Sequence, residues 1–211
     1  MTTIFDAIPE ASQAYVKGLL TPLPIAVKIT RKRLSKHGDY RKRMDGKHEI
    51  TLNETENPYR FLITLIHEIA HYIAFETHGF QIKPHGREWK QVYKDLMMPL
   101  LHPEVFPDAL LPFLAKHFKN PKAATDTDFH LVRALNRFDL NPDKTYIFEL
   151  NLGEAFVLPN GRKFIRGQQR RKRFECVEIS TQKKYLVSPH AAVQRLDRNG
   201  EKTMEIRNGK R

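Results

Sequence analysis

Apolar positions recur with two different periods along this chain, and the change from one to the other divides it. Residues 8–20 carry Ala14, Val16, Leu19 and Leu20 at helical spacing, which predicts an amphipathic helix. After Pro22 and Pro24, residues 25–31 predict a strand. His37-Gly38-Asp39 then turns the chain into a second strand at 40–44, and Asp45-Gly46 into a third at 48–52. These three read as an antiparallel sheet. The stretch 57–78 is apolar-rich and unbroken by Gly or Pro after Pro58, which predicts a helix of about six turns. Asn57 suits its N-cap, Pro58 its first position and Gly79 its end. Residues 87–98 predict a further helix with Trp89, Val92, Tyr93 and Leu96 on one face. Two more are predicted near 110–114 and 129–135, separated by a polar loop at 119–128.

From residue 146 the period falls to two. Tyr146, Phe148, Leu150 and Leu152 alternate as a half-buried strand does, and Pro159-Asn160-Gly161 joins strands at 155–158 and 163–166. Segments 173–179 and 184–187 predict two more strands, with a small core of Phe156, Phe164, Phe174, Val177 and Tyr185. The fold class is therefore α+β. Residues 1–140 form one domain and residues 141–211 a small β-rich module, beginning near Asn141-Pro142 and ending in a frayed tail from 197.

The long helix carries the candidate chemistry. His67 and His71 stand four residues apart, so both imidazoles project from one face about a turn apart. Glu68 is rotated by roughly a quarter turn, within reach of a water on a metal held by that pair. A catalytic zinc ion takes three protein ligands and keeps one position for water, and His85, in the turn Pro84-His85-Gly86, can complete the set. His78 lies about 10 Å further along the helix than His71, too far to share an ion. Glu88 is an acidic alternative to His85, but early in its own helix it favours solvent. The metzincin pattern would need Gly and His where this chain has Ala74 and Thr77. A second electrophile is sought among Tyr72, His78 and Arg87.

The segment Leu65-Ile66-His67-Glu68-Ile69-Ala70-His71, with His85-Gly86-Arg87-Glu88-Trp89 thirteen residues beyond it, resembles the SprT-like zinc metallopeptidases. Tyr40-Arg41 and Ile50-Thr51-Leu52-Asn53 are similar to the family's strands ahead of the helix, and the likeness covers roughly residues 8–98. It implies a zincin-like domain binding one catalytic Zn2+ through His67, His71 and His85, with Glu68 as general base. It also implies an endopeptidase of proteins associated with or crosslinked to DNA, and hence DNA repair. Many family members carry a four-cysteine zinc ribbon after this domain, one strand of which Arg171-Lys172-Arg173-Phe174-Glu175-Cys176 faintly resembles, with Cys176 the one cysteine retained. Residues 141–211 are then a degenerate, metal-free counterpart, with Cys176 a structural thiol.

Charge adds a partner class. The net charge is +12, and residues 25–50 hold +6 of it and residues 161–211 hold +10, leaving the remainder acidic. Clustering of this kind favours a polyanion, so Arg31, Lys32, Arg33, Arg41, Lys42, Arg43, Arg170, Arg171, Lys172 and Arg173 are candidate nucleic-acid contacts, non-specific and electrostatic. No apolar run is long enough to span a bilayer, the N-terminus lacks signal-peptide character, and a single cysteine cannot form an internal disulfide. A cytoplasmic monomer acting on protein substrates is expected. The alternative is a nucleic-acid-binding protein whose zinc site is structural or vestigial, and an adaptor recruiting partners through its C-terminal module is a third reading.

Overall fold

The computed structural model describes residues 3–31, 33, 36–123, 125–139, 145–189 and 191–197, with Asp126 by its backbone alone. Lys32 and most of the tail from 197 lie outside the described residues, as does Asn141-Pro142. The chain divides into two compact units, Met1–Pro142 and Asp143–Arg211.

In the first unit, helix α1 (Glu10–Leu20) leads into strand β1 (Ile25–Thr30). Strands β2 (Gly38–Lys42) and β3 (His48–Asn53) follow, then helix α2 (Pro58–His78). Helices α3 (Arg87–Met97), α4 (Leu111–Lys119) and α5 (Phe129–Asn136) complete it. Contrary to the expectation from the turn residues, the three strands are not all antiparallel. Their order is β1-β3-β2: β2 and β3 form the antiparallel hairpin turned at Asp45-Gly46, whereas β1 pairs parallel to β3 from Ile25↔His48 to Thr30↔Asn53. The chain must pass the end of β3 before β2 begins, and turn residues carry no trace of that crossing.

Central placement explains why β3 is buried along its whole length. One face, with Ile50 and Leu52, joins the core under α2. The other carries Glu49, Thr51 and Asn53, which are buried because basic side chains cover them. Lys28 Nζ donates to Glu49 at 2.6 Å, and Arg41 donates to the same carboxylate through Nε at 3.0 Å and through NH2. Arg33 donates to Asn53 Oδ1 at 2.7 Å and to Thr51 Oγ1 at 3.0 Å. Two of the proposed nucleic-acid contacts, Arg33 and Arg41, are thus tied into the sheet.

Helix α2 is the axis of this unit. Asn57 accepts from Arg60 N–H at 3.0 Å as the N-cap, and its own amide donates to Leu135 O and Asp139 Oδ1, pinning α2 to the end of α5. Its buried residues, from Phe61 to Ala74, fall on most of its circumference, so little more than the histidine-bearing strip is left open. No helix among the described residues is long and apolar enough to cross a membrane.

The second unit is an antiparallel sheet ordered β4-β9-β5-β6-β7-β8. Its strands are β4 (Thr145–Tyr146), β5 (Ala155–Val157), β6 (Lys163–Arg170), β7 (Arg173–Glu178), β8 (Lys184–Val187) and β9 (Ala192–Arg195). The last strand returns to pair with the first of the β5–β8 meander. The alternating stretch at 146–152 is a two-residue strand followed by a single 3-10 turn at Ile147–Glu149, because Ile147 and Leu150 turn inward one turn apart. Phe156, Phe164 and Phe174 are buried together with Cys176, whose burial pushes its thiol pKa up. Val177 is not in this core: it pairs with Ile165 and Lys184 on the other face. Gly167 sits at a bulge in β6, where a Cβ would fall 2.3 Å from Glu175 O, so the strand bends at a position open only to glycine.

Hydrogen bonds from Lys28 and Arg41 hold the Glu49 carboxyl well below its ordinary value, at about 2. A depressed folded-state pKa gives stability that is present above the unfolded value, near 4.5, and is lost as the pH falls towards 2. Glu49→Gln should therefore lower the thermal midpoint at pH 7, and the gap from wild type should narrow between about pH 5 and pH 3. A gap independent of pH would show that the charge on Glu49 contributes nothing.

Candidate metal centre

The site is built by α2 and by the turn that follows it. Residues Lys83–Gly86 form a turn closed by Gly86 N–H donating to Lys83 O at 2.8 Å, with Pro84 second and His85 third. His85 takes φ +60°, the left-handed value that the third position of a Pro-containing type II turn requires. A histidine where glycine is usual is a mark of local strain, and such strain gathers at functional positions. The turn brings the ring back over α2.

There the Nε2 atoms of three histidines converge. His67 and His71 are 3.1 Å apart, His71 and His85 2.9 Å, and His67 and His85 3.2 Å. A ring nitrogen that carries a proton cannot also accept, so three mutual contacts cannot all be hydrogen bonds. Protonation is disfavoured as well. Burial and the neighbouring imidazoles push His67 well below its ordinary pKa and His71 down to about 3, and burial lowers His85. Three neutral imidazoles with their lone pairs aimed at one point are the donor set of a cation. Nitrogens about 2.0–2.1 Å from a tetrahedral zinc ion lie roughly 3.3–3.4 Å from one another, close to the triangle found here. Among the described residues this is the only group of three His, Cys, Asp or Glu side chains close enough to share an ion. His78, at the last position of α2, and Glu88 stay outside it.

Trp89 backs all three rings. Its centroid lies 4.6 Å from His67, 5.1 Å from His71 and 4.7 Å from His85, and it is 1 % exposed. Tyr93, one turn on, packs against His67 at 5.3 Å and donates to Ile63 O at 3.2 Å. Helix α3 thus fixes the imidazoles from behind while their nitrogens face a cleft of about 600 Å³.

Glu68 lines the same cleft and is 6 % exposed. Burial, with Asp39 nearby, pushes its carboxyl up to about 8, against the backbone N–H of Tyr40, which donates to it. A cation on the three imidazoles pulls in the opposite direction. Strand β2 passes directly over this side chain. A Cβ on Gly38 would lie 2.8 Å from Glu68 Oε1 and 2.8 Å from Thr64 Cγ2, so only glycine leaves the carboxylate its place. Sequence alone makes Gly38 a turn residue and misses this, because nothing in a turn motif tells what crosses the backbone at that point.

The cleft draws on the approach to β2 (Lys36, His37) and on β2 itself, on α2, on the 79–85 turn and on Ala123 and Thr125. Lys36 pairs with Asp39 at 2.8 Å on its rim. None of the three side chains considered as a second electrophile lines it. Tyr72 is one residue past His71, which rotates it by about 100° into the protein against His48 and Tyr40, and His78 and Arg87 lie beyond the walls.

The basic candidates are scattered. Arg31 is exposed, Lys42 lies over the rings of Phe75 and Phe80 at 5.2 and 5.9 Å, and Arg43 faces Asp45 at 3.6 Å. Arg170, Arg171, Lys172 and Arg173 are brought together, all exposed, where β6 turns into β7, with Arg170 3.5 Å from Glu175.

Residues 7–106, which hold the three histidines, Glu68 and Trp89, match the SprT-like family. That segment, a little under half of the chain, is what resembles the SprT-like family. SprT-like proteins are zincin-like metallopeptidases, which accords with the donor set. No curated protein and no solved structure matches the chain. The SprT-like match ends before α4, so α4, α5 and the cleft wall at Ala123 and Thr125 lie outside it.

Trp89 is the only tryptophan in the chain and touches all three imidazoles of the centre. Adding Co2+ to metal-stripped protein should quench its emission to an endpoint of one ion per chain. His85→Ala should raise the metal concentration needed by at least about tenfold. Emission indifferent to the ion would put the metal elsewhere.

Proposed function

We propose that this SprT-like protein is a zinc-dependent endopeptidase acting on proteins held near DNA. The observation that carries the reading is the convergence of His67, His71 and His85 in an open cleft with the Glu68 carboxylate beside them. A structural zinc site is closed by four protein ligands, whereas three ligands facing a cleft leave room for chemistry. Zinc in such a site supplies Lewis acidity, which makes water a nucleophile at neutral pH and polarises a peptide carbonyl.

The chain's own residues do the rest. The three imidazoles, neutral through burial, would hold the ion, and Trp89 packs against their rings. Glu68 takes a proton from the attacking water onto its carboxylate and returns it to the leaving amine. The Tyr40 N–H fixes that carboxylate, and Gly38 gives it space. Among the described residues strand β2 is an edge strand, with β3 its only partner in the sheet. Because Arg43 N–H donates to Lys47 O and Asn53 N–H to His37 O, alternation turns the backbone groups of Gly38, Tyr40 and Lys42 away from β3. The Tyr40 N–H meets Glu68, which leaves the Gly38 and Lys42 groups and the Tyr40 carbonyl to pair with a strand. An extended substrate would add to that edge as a further strand, its main chain beside the ion.

Glu68→Gln should keep one zinc per chain and lower kcat on an unfolded protein substrate by about 10²–10⁴-fold. Retained cleavage by a zinc-loaded Glu68→Gln protein would remove the general-base assignment. Absence of cleavage by wild type with its zinc bound would favour a nucleic-acid-binding protein with a structural site.

Nearness to DNA rests on charge. The exposed run Arg170–Arg173 at the tip of the β6–β7 hairpin suits phosphate contacts, and the net +12 favours any polyanion. The single cysteine, buried in the second unit, suits a reducing compartment such as the cytoplasm. Replacing Arg171, Lys172 and Arg173 by alanine should weaken binding to random-sequence DNA. The slope of log affinity against log salt should also flatten by about 0.9 for each phosphate no longer neutralised. A salt slope unchanged by the triple substitution would exclude the hairpin.

A further inference from the structure

Seven apolar side chains among the described residues stand out as large and exposed, and Phe80 is the one that lines the cleft. It is 83 % exposed, yet its ring has partners. Its ring meets Phe75 edge-on at 4.8 Å, and Lys42 Nζ lies over both rings, at 5.2 Å from Phe75 and 5.9 Å from Phe80. Ile82 and Pro84 continue the apolar surface towards His85. An aromatic shelf that joins a second ring and opens into the site is unlike a lone exposed apolar residue.

Its position can be measured along the two elements it joins. Gly38 and Tyr40 pack on α2 at Thr64, Glu68, Tyr72 and Phe75, so β2 runs along the helix from the carboxylate towards the shelf. Glu68 and Phe75 are seven residues apart, about 10 Å along the axis. An extended chain covers that distance in about three residues. Side chains on the same side of such a chain come every second residue, which places the shelf two to four residues from the bond beside Glu68.

We infer that Phe80, with Phe75 beneath it, selects substrates carrying an aromatic side chain two to four residues to one side of the cleaved bond. The inference rests on the peptidase reading in taking an extended polypeptide as the occupant of the cleft. The partner is a flexible or unfolded segment, because a chain lying in the cleft beside β2 must present its backbone to β2 and its ring to Phe80 clear of the rest of its own fold. An aromatic ring completes the cluster edge-to-face and leaves Lys42 over its present partners. A carboxylate there would draw Lys42 away from them.

The test separates this inference from the chemistry. Zinc-loaded Glu68→Gln protein is mixed with fluorescein-labelled decapeptides of Gly, Ser and Thr that carry one Phe at successive positions. Binding is read by anisotropy. The best register should bind about ten- to a hundredfold more tightly than the parent lacking Phe, and Phe80→Ser in the same background should bring that ratio close to one. Phe80 is so exposed that the substitution leaves the fold intact, which one zinc per chain and unchanged Trp89 emission would verify. Equal affinities with and without Phe, a ratio that survives Phe80→Ser, or a preference for Asp in the best register would each overturn the shelf. The same peptides are then given to protein with Glu68 intact. Binding that depends on Phe80 without cleavage would leave the shelf standing and remove the peptidase reading. Cleavage with a Phe-to-Gly ratio of kcat/KM indifferent to Phe80→Ser would do the reverse.

Discussion

Three nitrogen lone pairs aimed at one point within about 3 Å repel one another unless a positive charge sits among them, and the first unit is arranged around that problem. Helix α2 is apolar on most of its surface, so the strip bearing His67, Glu68 and His71 is the part left facing the cleft. The left-handed turn at His85 adds the third nitrogen, and α3 closes the back with Trp89 and Tyr93. Each of these costs something alone: buried imidazoles, a strained φ, a carboxylate out of water. A bound cation offsets the first and the third together.

The sheet plays a quieter part. Burial of β3 fixes the hairpin, and the hairpin carries Gly38 and Tyr40 across Glu68. Basic side chains on the outer face are largely occupied by this. Arg33, Arg41 and Lys28 satisfy Asn53, Thr51 and Glu49, which could not otherwise be buried. Net charge by segment therefore overstates what the 25–50 region presents to a polyanion, whereas the β6–β7 tip keeps its run exposed.

What could be read from the sequence was what local periodicity encodes. Asn57, Pro58 and Gly79 bound α2 as their chemistry requires, and four-residue spacing puts His67 and His71 on one face. What could not be read lies across the fold. The parallel pairing of β1 with β3 joins residues by a crossing that no turn residue marks. The role of Gly38 depends on which helix passes over it, and Tyr72 faces inward because a single step along α2 changes its side. In the second unit, alternation at 146–152 mimics a strand although a 3-10 turn buries Ile147 and Leu150 equally well. Strand β9, four residues long, carries too short a pattern to register.

The division of the three histidines between two elements would make a bound ion a clasp as well as a reagent. His71 and His85 are fourteen residues apart, joined only by the end of α2 and an irregular segment. A bond through a shared ion closes that loop as a disulfide would, and for a loop of such length the chain entropy removed is worth about 3 kcal/mol. A metal held there would thus belong to the architecture of the junction between α2 and α3. Its loss would loosen the aromatic packing behind the imidazoles together with whatever chemistry the ion supports in front of them.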